Sequence, residues 1–325
     1  MKLNTSMTTM LLITSTMMVM SSNSWMGMWI GMEINLVGFV PFMKMNNKES
    51  SSSSMIYFMS QSMGSSLFLY ALLSMWFQSP SSHSSLMNSM IMASMMIKLG
   101  LPPMHMWMII VANNSSWMTC ITLTTWQKIA PMTVLSKLST MTNETFIIAT
   151  AAAIVGAIGG INQTSIRKII AYSSVSHMGW MMTMTNNYKW LIYLTIYSTM
   201  VSSMCHMMKS ENMYYLNQIS LTSKMNKMAL TINMLSMGGL PPMMGFVPKW
   251  MAMQNMMMSK NNHDHYNHNN NDINYINILH QYNHTRNKNK NNKYKIINTK
   301  SEMNYTWMLM MSLSTPMILT MNTLI

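Results

Sequence analysis

The chain has 325 residues, of which 8% are charged, about a third of the share usual in a soluble protein. That scarcity runs along most of the sequence; it excludes a globular domain with one anchor and describes an integral membrane protein. The formal net charge of +13 would suggest a nucleic-acid partner, but seven basic residues fall between Lys260 and Lys300, so the excess is regional and nucleic-acid binding is not expected.

A membrane-crossing helix needs about 20 mostly apolar residues. By that measure ten helices are expected, near residues 3–21, 25–43, 55–77, 86–112, 116–137, 142–160, 166–184, 188–208, 228–258 and 304–323. Ser21–Trp25 leads straight from the first span into the second, so no cleavable signal is expected. In lipid the backbone must satisfy itself, and an all-α polytopic bundle is the architecture this pattern supports. The small residues of Val155–Gly160 (VGAIGG) suit close helix contact; as a nucleotide loop the stretch lacks the strand and the glycine spacing. Lys209–Ser223 mixes polar and aromatic residues and reads as an interfacial stretch, with Tyr214 and Tyr215 at headgroup level. Cys120 and Cys205 lie in apolar segments and form no CxxC pair, which makes them buried thiols. Methionine occurs 52 times and arginine only at Arg167 and Arg286. An AT-rich gene read in a code where ATA means methionine gives this bias, as in animal mitochondria, and the methionines are core or lipid-facing packing rather than a metal box.

One stretch organises the rest. Ile97–Trp107 reads IKLGLPPMHMW, and its GLPPM (Gly100–Met104) returns unchanged at Gly239–Met243. Two broken apolar helices, one in each half of a chain, are the mark of an ion-moving membrane protein with internal repeats. Ionisable residues inside spans are costly, at roughly 2.5–3.5 kcal/mol on insertion scales, and they line polar pathways. Four stand out as a candidate proton relay: Glu33 in GMEINL, Lys98 in IKLGLPP, Lys128 in TWQKIAP and Lys249 in FVPKW. Each also has a structural reading as a hydrogen-bond anchor, and Lys249 could snorkel from a helix end. Lysine suits proton handling because burial favours the neutral amine and a nearby carboxylate the ammonium. Pro102 and Pro103 lack amide donors, so carbonyls of the preceding turn are expected to be free to bind water. Pro131, and Pro241 with Pro242, are expected to place similar breaks beside Lys128 and Lys249. His105 and His177 are further relay candidates, although an interhelical hydrogen bond accounts for either equally well. His206 reads as structural, and Arg167 with Lys168 as a loop-facing pair that sets orientation.

The segments GMEINL, KLGLPPMHMW, TWQKIAP, GGINQTSIRKIIAYSSVSHMGW and MGGLPPMMGFVPKW closely resemble the subunit-2 family of mitochondrial NADH:ubiquinone oxidoreductase (complex I), and the methionine usage resembles arthropod versions. The resemblance covers residues 1–258 and the last helix. It implies an antiporter-like, all-α bundle of about 10–11 transmembrane helices with two inverted repeats and two broken helices. By family pattern Glu33 faces a neighbouring subunit, Lys98 and Lys249 are the lysines of the two broken helices, and Lys128 connects them. The resemblance also implies a proton-pumping subunit of the mitochondrial inner membrane. Its partners would be other membrane-arm subunits and lipid; it would bind no metal and no flavin, iron–sulfur cluster or quinone. The lysine pattern alone fits a stand-alone cation/proton antiporter too, and a structural scaffold with vestigial lysines is the third reading.

Between Ser259 and Glu302 the resemblance fails, where the chain reads NNHDHYNHNNND and onward in Asn, His and Lys before a final helix over 303–325. A histidine metal tract and a low-complexity loop both fit that composition. Codon structure favours another origin. Asn, His, Asp and Tyr codons share a central A and a final pyrimidine, and read one base later they become Ile, Met or Thr codons. A compensated frameshift or a recoding event over an apolar helix is therefore expected.

Overall fold

Serine and threonine can fill membrane helices because the helix itself satisfies them. Even exposed hydroxyls do this: Thr9 donates to the Ser6 carbonyl, Ser62 to Met59, Ser66 to Met63 and Thr195 to Ile192, all within 2.8–3.0 Å. These residues also keep mean hydropathy at +0.13. By length and apolar composition alone, only Trp25–Lys44 and Glu144–Ile161 qualify as membrane-crossing among the described residues.

The computed structural model describes residues 2–44, 49–77, 84–138, 143–185, 188–241 and 243–258. The Asn/His-rich stretch and the expected final helix lie outside them, as does Pro242. Two compact units divide the chain near residue 141.

The first unit holds α1 (Lys2–Ser21), α2 (Trp25–Lys44), α3 (Glu49–Phe77), α4 (Ser84–Leu99), α5 (Met106–Asn114), α6 (Trp117–Thr124) and α7 (Ile129–Leu138). Helix α2 packs on α1, α3 and α7; α4 packs on α3 and α7. The expected span 86–112 is thus α4 and α5 with the GLPPM break between them. Gly100 ends α4 at φ +68. Its amide bonds the Ile97 carbonyl and that of Leu101 bonds Met96, at 3.2 and 2.9 Å. This paired closure needs a left-handed residue, which glycine supplies without steric cost. At α6 the Ser116 hydroxyl accepts from the Thr119 amide, capping the helix start.

The second unit holds α8 (Asn143–Ile161), α9 (Ile166–Met182), α10 (Lys189–Ser210), α11 (Lys224–Gly238) and α12 (Phe246–Met258). Small residues of α8 bring it onto α9 as expected. A Cβ at Gly156 would lie 2.7–2.9 Å from the Ser176 amide, the Ser176 Cβ and the Tyr172 carbonyl, and one at Gly179 would lie 2.6 Å from the Ala149 carbonyl. The interfacial stretch forms a 3-10 turn, Leu216–Leu221. It is tied to the α8–α9 turn by an antiparallel bridge between Ser165 and Tyr215, and Arg167 lies over the Tyr214 ring. The expected span 228–258 is α11 and α12, separated by the second GLPPM, where Gly239 takes φ +78.

Candidate functional site

Lys98 occupies the last turn of α4, where the carbonyl end of a helix favours a cation. Its side chain is buried (6% exposed). The room for it comes from α3: a Cβ at Gly64 would lie 2.8 Å from Lys98 Cγ. The ammonium Nζ sits 3.9 Å from the Met32 sulfur on α2, a weak contact, and it feels the charge of Glu33, the next residue. Glu33 is half-buried, and its Oε1 has no hydrogen-bond partner among the described residues.

Of the carbonyls the prolines free, that of Lys98 has a side-chain donor. Ile97 O also accepts the Trp107 indole N–H at 3.0 Å, and Lys98 O accepts Gln61 Nε2 at 3.1 Å. Gln61, from outside the helix, thus replaces the donor that Pro102 lacks.

Lys128 ends a 3-10 turn, Trp126–Lys128, that separates α6 from α7, and it is 2% exposed. Pro131 does not make this interruption. It sits in the first turn of α7, where a missing amide hydrogen costs nothing. The interruption lies earlier, at Thr125, whose hydroxyl donates back to the Ile121 carbonyl at 2.7 Å while Thr124 donates to Cys120 at 2.8 Å.

Next to Lys128, Gln127 joins α2 through a reciprocal amide pair. Asn35 Nδ2 donates to Gln127 Oε1 at 2.8 Å, and Gln127 Nε2 donates to Asn35 Oδ1 at 3.2 Å. The Tyr57 hydroxyl adds a longer bond to Gln127 Oε1, 3.4 Å. Lys98, Lys128, Asn35, Gln127, Tyr57 and Gln61 share the wall of one cavity of about 20 Å³, lined further by Met32, Trp107 and Pro131. A water molecule needs a polar space of roughly 10–15 Å³ or more. The pocket is therefore a polar space with room for water, lined by two buried lysines.

In the second unit Lys249 belongs to the first turn of α12 and is 3% exposed, which removes the snorkelling reading. Its Nζ donates to the Gly238 carbonyl at 2.9 Å. His177 on α9 is buried, with Nδ1 2.8 Å from the Tyr193 hydroxyl of α10 and its ring against Tyr197. His105 lies at the start of α5 in the first unit, with Nδ1 3.2 Å from the Pro103 carbonyl oxygen, and is not part of the cavity wall. Of the residues picked from sequence, the structure brings Lys98 and Lys128 to one cavity. Sequence reasoning passed over Asn35, Tyr57, Gln61, Gly64 and Gln127. Asn35 and Gln127 stand inside the motifs GMEINL and TWQKIAP, and a buried carboxamide in a lipid-bound helix was the available signal.

Residues 22–263 match the family described as NADH:quinone oxidoreductase/Mrp antiporter, transmembrane. A relative from Locusta migratoria, NADH-ubiquinone oxidoreductase chain 2, is 41% identical over 262 residues, 77% of this chain and 75% of that one. The chain belongs to the NADH-ubiquinone oxidoreductase chain 2 family. Its Anopheles gambiae member is 38% identical over 265 residues, covering 78% of this chain and 77% of the mosquito one. Among solved structures, a chain of respiratory complex I from Thermus thermophilus superposes with a TM-score of 0.79 at 15% identity, over 97% of this chain and 76% of the other. That likeness shows the antiporter-like membrane bundle expected for the chain 2 family.

Proposed function

We propose that the chain is a membrane-arm subunit of respiratory complex I in the mitochondrial inner membrane, and that it handles the protons moved when NADH reduces ubiquinone. Glu33, Lys98 and Lys128 are the proton-handling groups of the first unit. Lys249 is that of the second, with His177 a further candidate there. The redox centres belong to other subunits in this reading. The observation that carries it is the shared cavity: two buried lysines line one polar space with room for water, in a chain whose family is described as NADH:quinone oxidoreductase/Mrp antiporter. The Glu33 Oε1, buried without a partner among this chain's described residues, supports a donor supplied by a neighbouring subunit. Lys98→Ala in the assembled enzyme tests the reading. NADH-driven proton uptake into sealed vesicles should fall while the enzyme still assembles; unchanged uptake would refute it. A stand-alone antiporter is the lesser reading, and co-purification with an NADH-oxidising assembly separates the two.

A further inference from the structure

We propose that the Asn35–Gln127 amide pair is the positioning element of the first unit's proton transfer. It holds one water in the cavity, through which Lys98 and Lys128 exchange a proton. This rests on the proton-handling reading above and names the groups that would set its rate.

The argument begins with hydrogen-bond valence. A carboxamide brings two N–H donors and one acceptor oxygen. After Asn35 and Gln127 have bonded each other, each keeps one N–H, and both residues line the cavity. Lys98 Nζ offers up to three donors, and its hydrogen-bond contact is a sulfur at 3.9 Å. A buried water is stable where it finds two to four polar partners, and this wall supplies them in about 20 Å³. An amide does not itself carry a proton readily, but a water does. In one step the water oxygen takes a proton from the lysine that is charged as one of its own hydrogens passes to the neutral amine of the other. The charge moves from one lysine to the other, and the water is regenerated.

The pair also has a mechanical consequence. Asn35 lies two residues from Glu33 on α2, and Gln127 is the neighbour of Lys128. A displacement of α2 at Glu33 therefore reaches Lys128 through two amide hydrogen bonds, without passing through Lys98.

The test compares Asn35→Ala, Gln127→Ala and the exchanged pair Asn35→Gln with Gln127→Asn, beside Lys98→Ala, all in assembled complex in sealed vesicles. Each alanine variant should slow NADH-driven proton uptake by about tenfold or more, the scale on which misplacing a reacting group acts. The double alanine variant should be no slower than either single one, because the two residues act as a unit. The exchanged pair should recover most of the rate. The solvent deuterium isotope effect on uptake should rise in the slow variants, which a merely structural role would not produce. Gln127→Glu keeps the shape and serves where an alanine variant fails to assemble; it should slow uptake with the same rise. Wild-type rates, or losses that follow assembly with an unchanged isotope effect, overturn the proposal. If Lys98→Ala stops uptake and the amide variants are silent, only the role of the pair falls. If Lys98→Ala itself is silent, the proton-handling reading falls with it.

Discussion

Lys249 donates its ammonium to the carbonyl of Gly238, 2.9 Å away and on the far side of the second break. Lys98 stands on the near side of the first break, in the last turn of α4. The two GLPPM segments thus carry their lysines on opposite flanks, and the Lys249 charge comes to the carbonyl end of the helix that precedes its break. That end carries partial negative charge. The second break therefore gives Lys249 an electrostatic partner that needs no carboxylate, whereas Lys98 feels the charge of Glu33.

Gly239 tests this arrangement. It adopts φ +78, and a Cβ there would lie 2.9 Å from Lys249 Cδ and 3.0 Å from Nζ. Gly239→Ala should cost about 1–2 kcal/mol for the left-handed backbone and push the ammonium off the Gly238 carbonyl. Proton uptake by vesicles holding the assembled enzyme should then fall in the direction of Lys249→Ala, although no charge is removed. Full uptake in Gly239→Ala would show that the carbonyl contact does not matter.

Gly64 makes the matching prediction for the first unit. Its missing side chain is the space through which Lys98 passes, and a Cβ would also sit 3.2 Å from the Ser94 carbonyl. Gly64→Ala should shift Lys98 along the cavity, lowering proton uptake several-fold with normal amounts of assembled complex. Gly64→Val should impair assembly as well, because its branches have nowhere to go. Native gels and vesicle uptake, read side by side, check both.

The sequence made the helices and the broken pair legible for identifiable reasons. Spans are long, turns are polar, and Gly100 and Gly239 stand just past the last residue of α4 and of α11. The lysines were legible because charge inside a span is rare. The site's neutral part was harder to read. Asn35 and Gln127 meet across 92 residues of sequence, and no local period records that contact. Pro131 misled because a proline inside an apolar run reads as a break. Only the position of the 3-10 turn before it shows that it begins a helix instead.

Gly245 should be the least tolerant glycine of the second unit. A Cβ there would run into the backbone carbonyl oxygen of Ser236, with the Met200 sulfur 3.3 Å away on another side. Backbone cannot turn aside as a flexible side chain can. Gly245→Ala should therefore keep the chain out of the assembled complex, whereas Gly27→Ala, which meets only serine side chains, should assemble normally. Native electrophoresis of the two variants decides it.

The last prediction concerns covalent sequence. The family match ends at residue 263, just inside the stretch whose Asn, His, Asp and Tyr codons become Ile, Met and Thr codons one base later. Trypsin cuts after Lys260 and Arg286, so the chain as written must yield a peptide from Asn261 to Arg286, with five histidines and both aspartates of the protein. A compensated frameshift or recoding over this stretch removes that peptide and puts an apolar one in its place. Mass mapping of the subunit from native membranes should recover the apolar product. Recovery of the histidine-rich peptide from Asn261 would show that the polar stretch is translated as written.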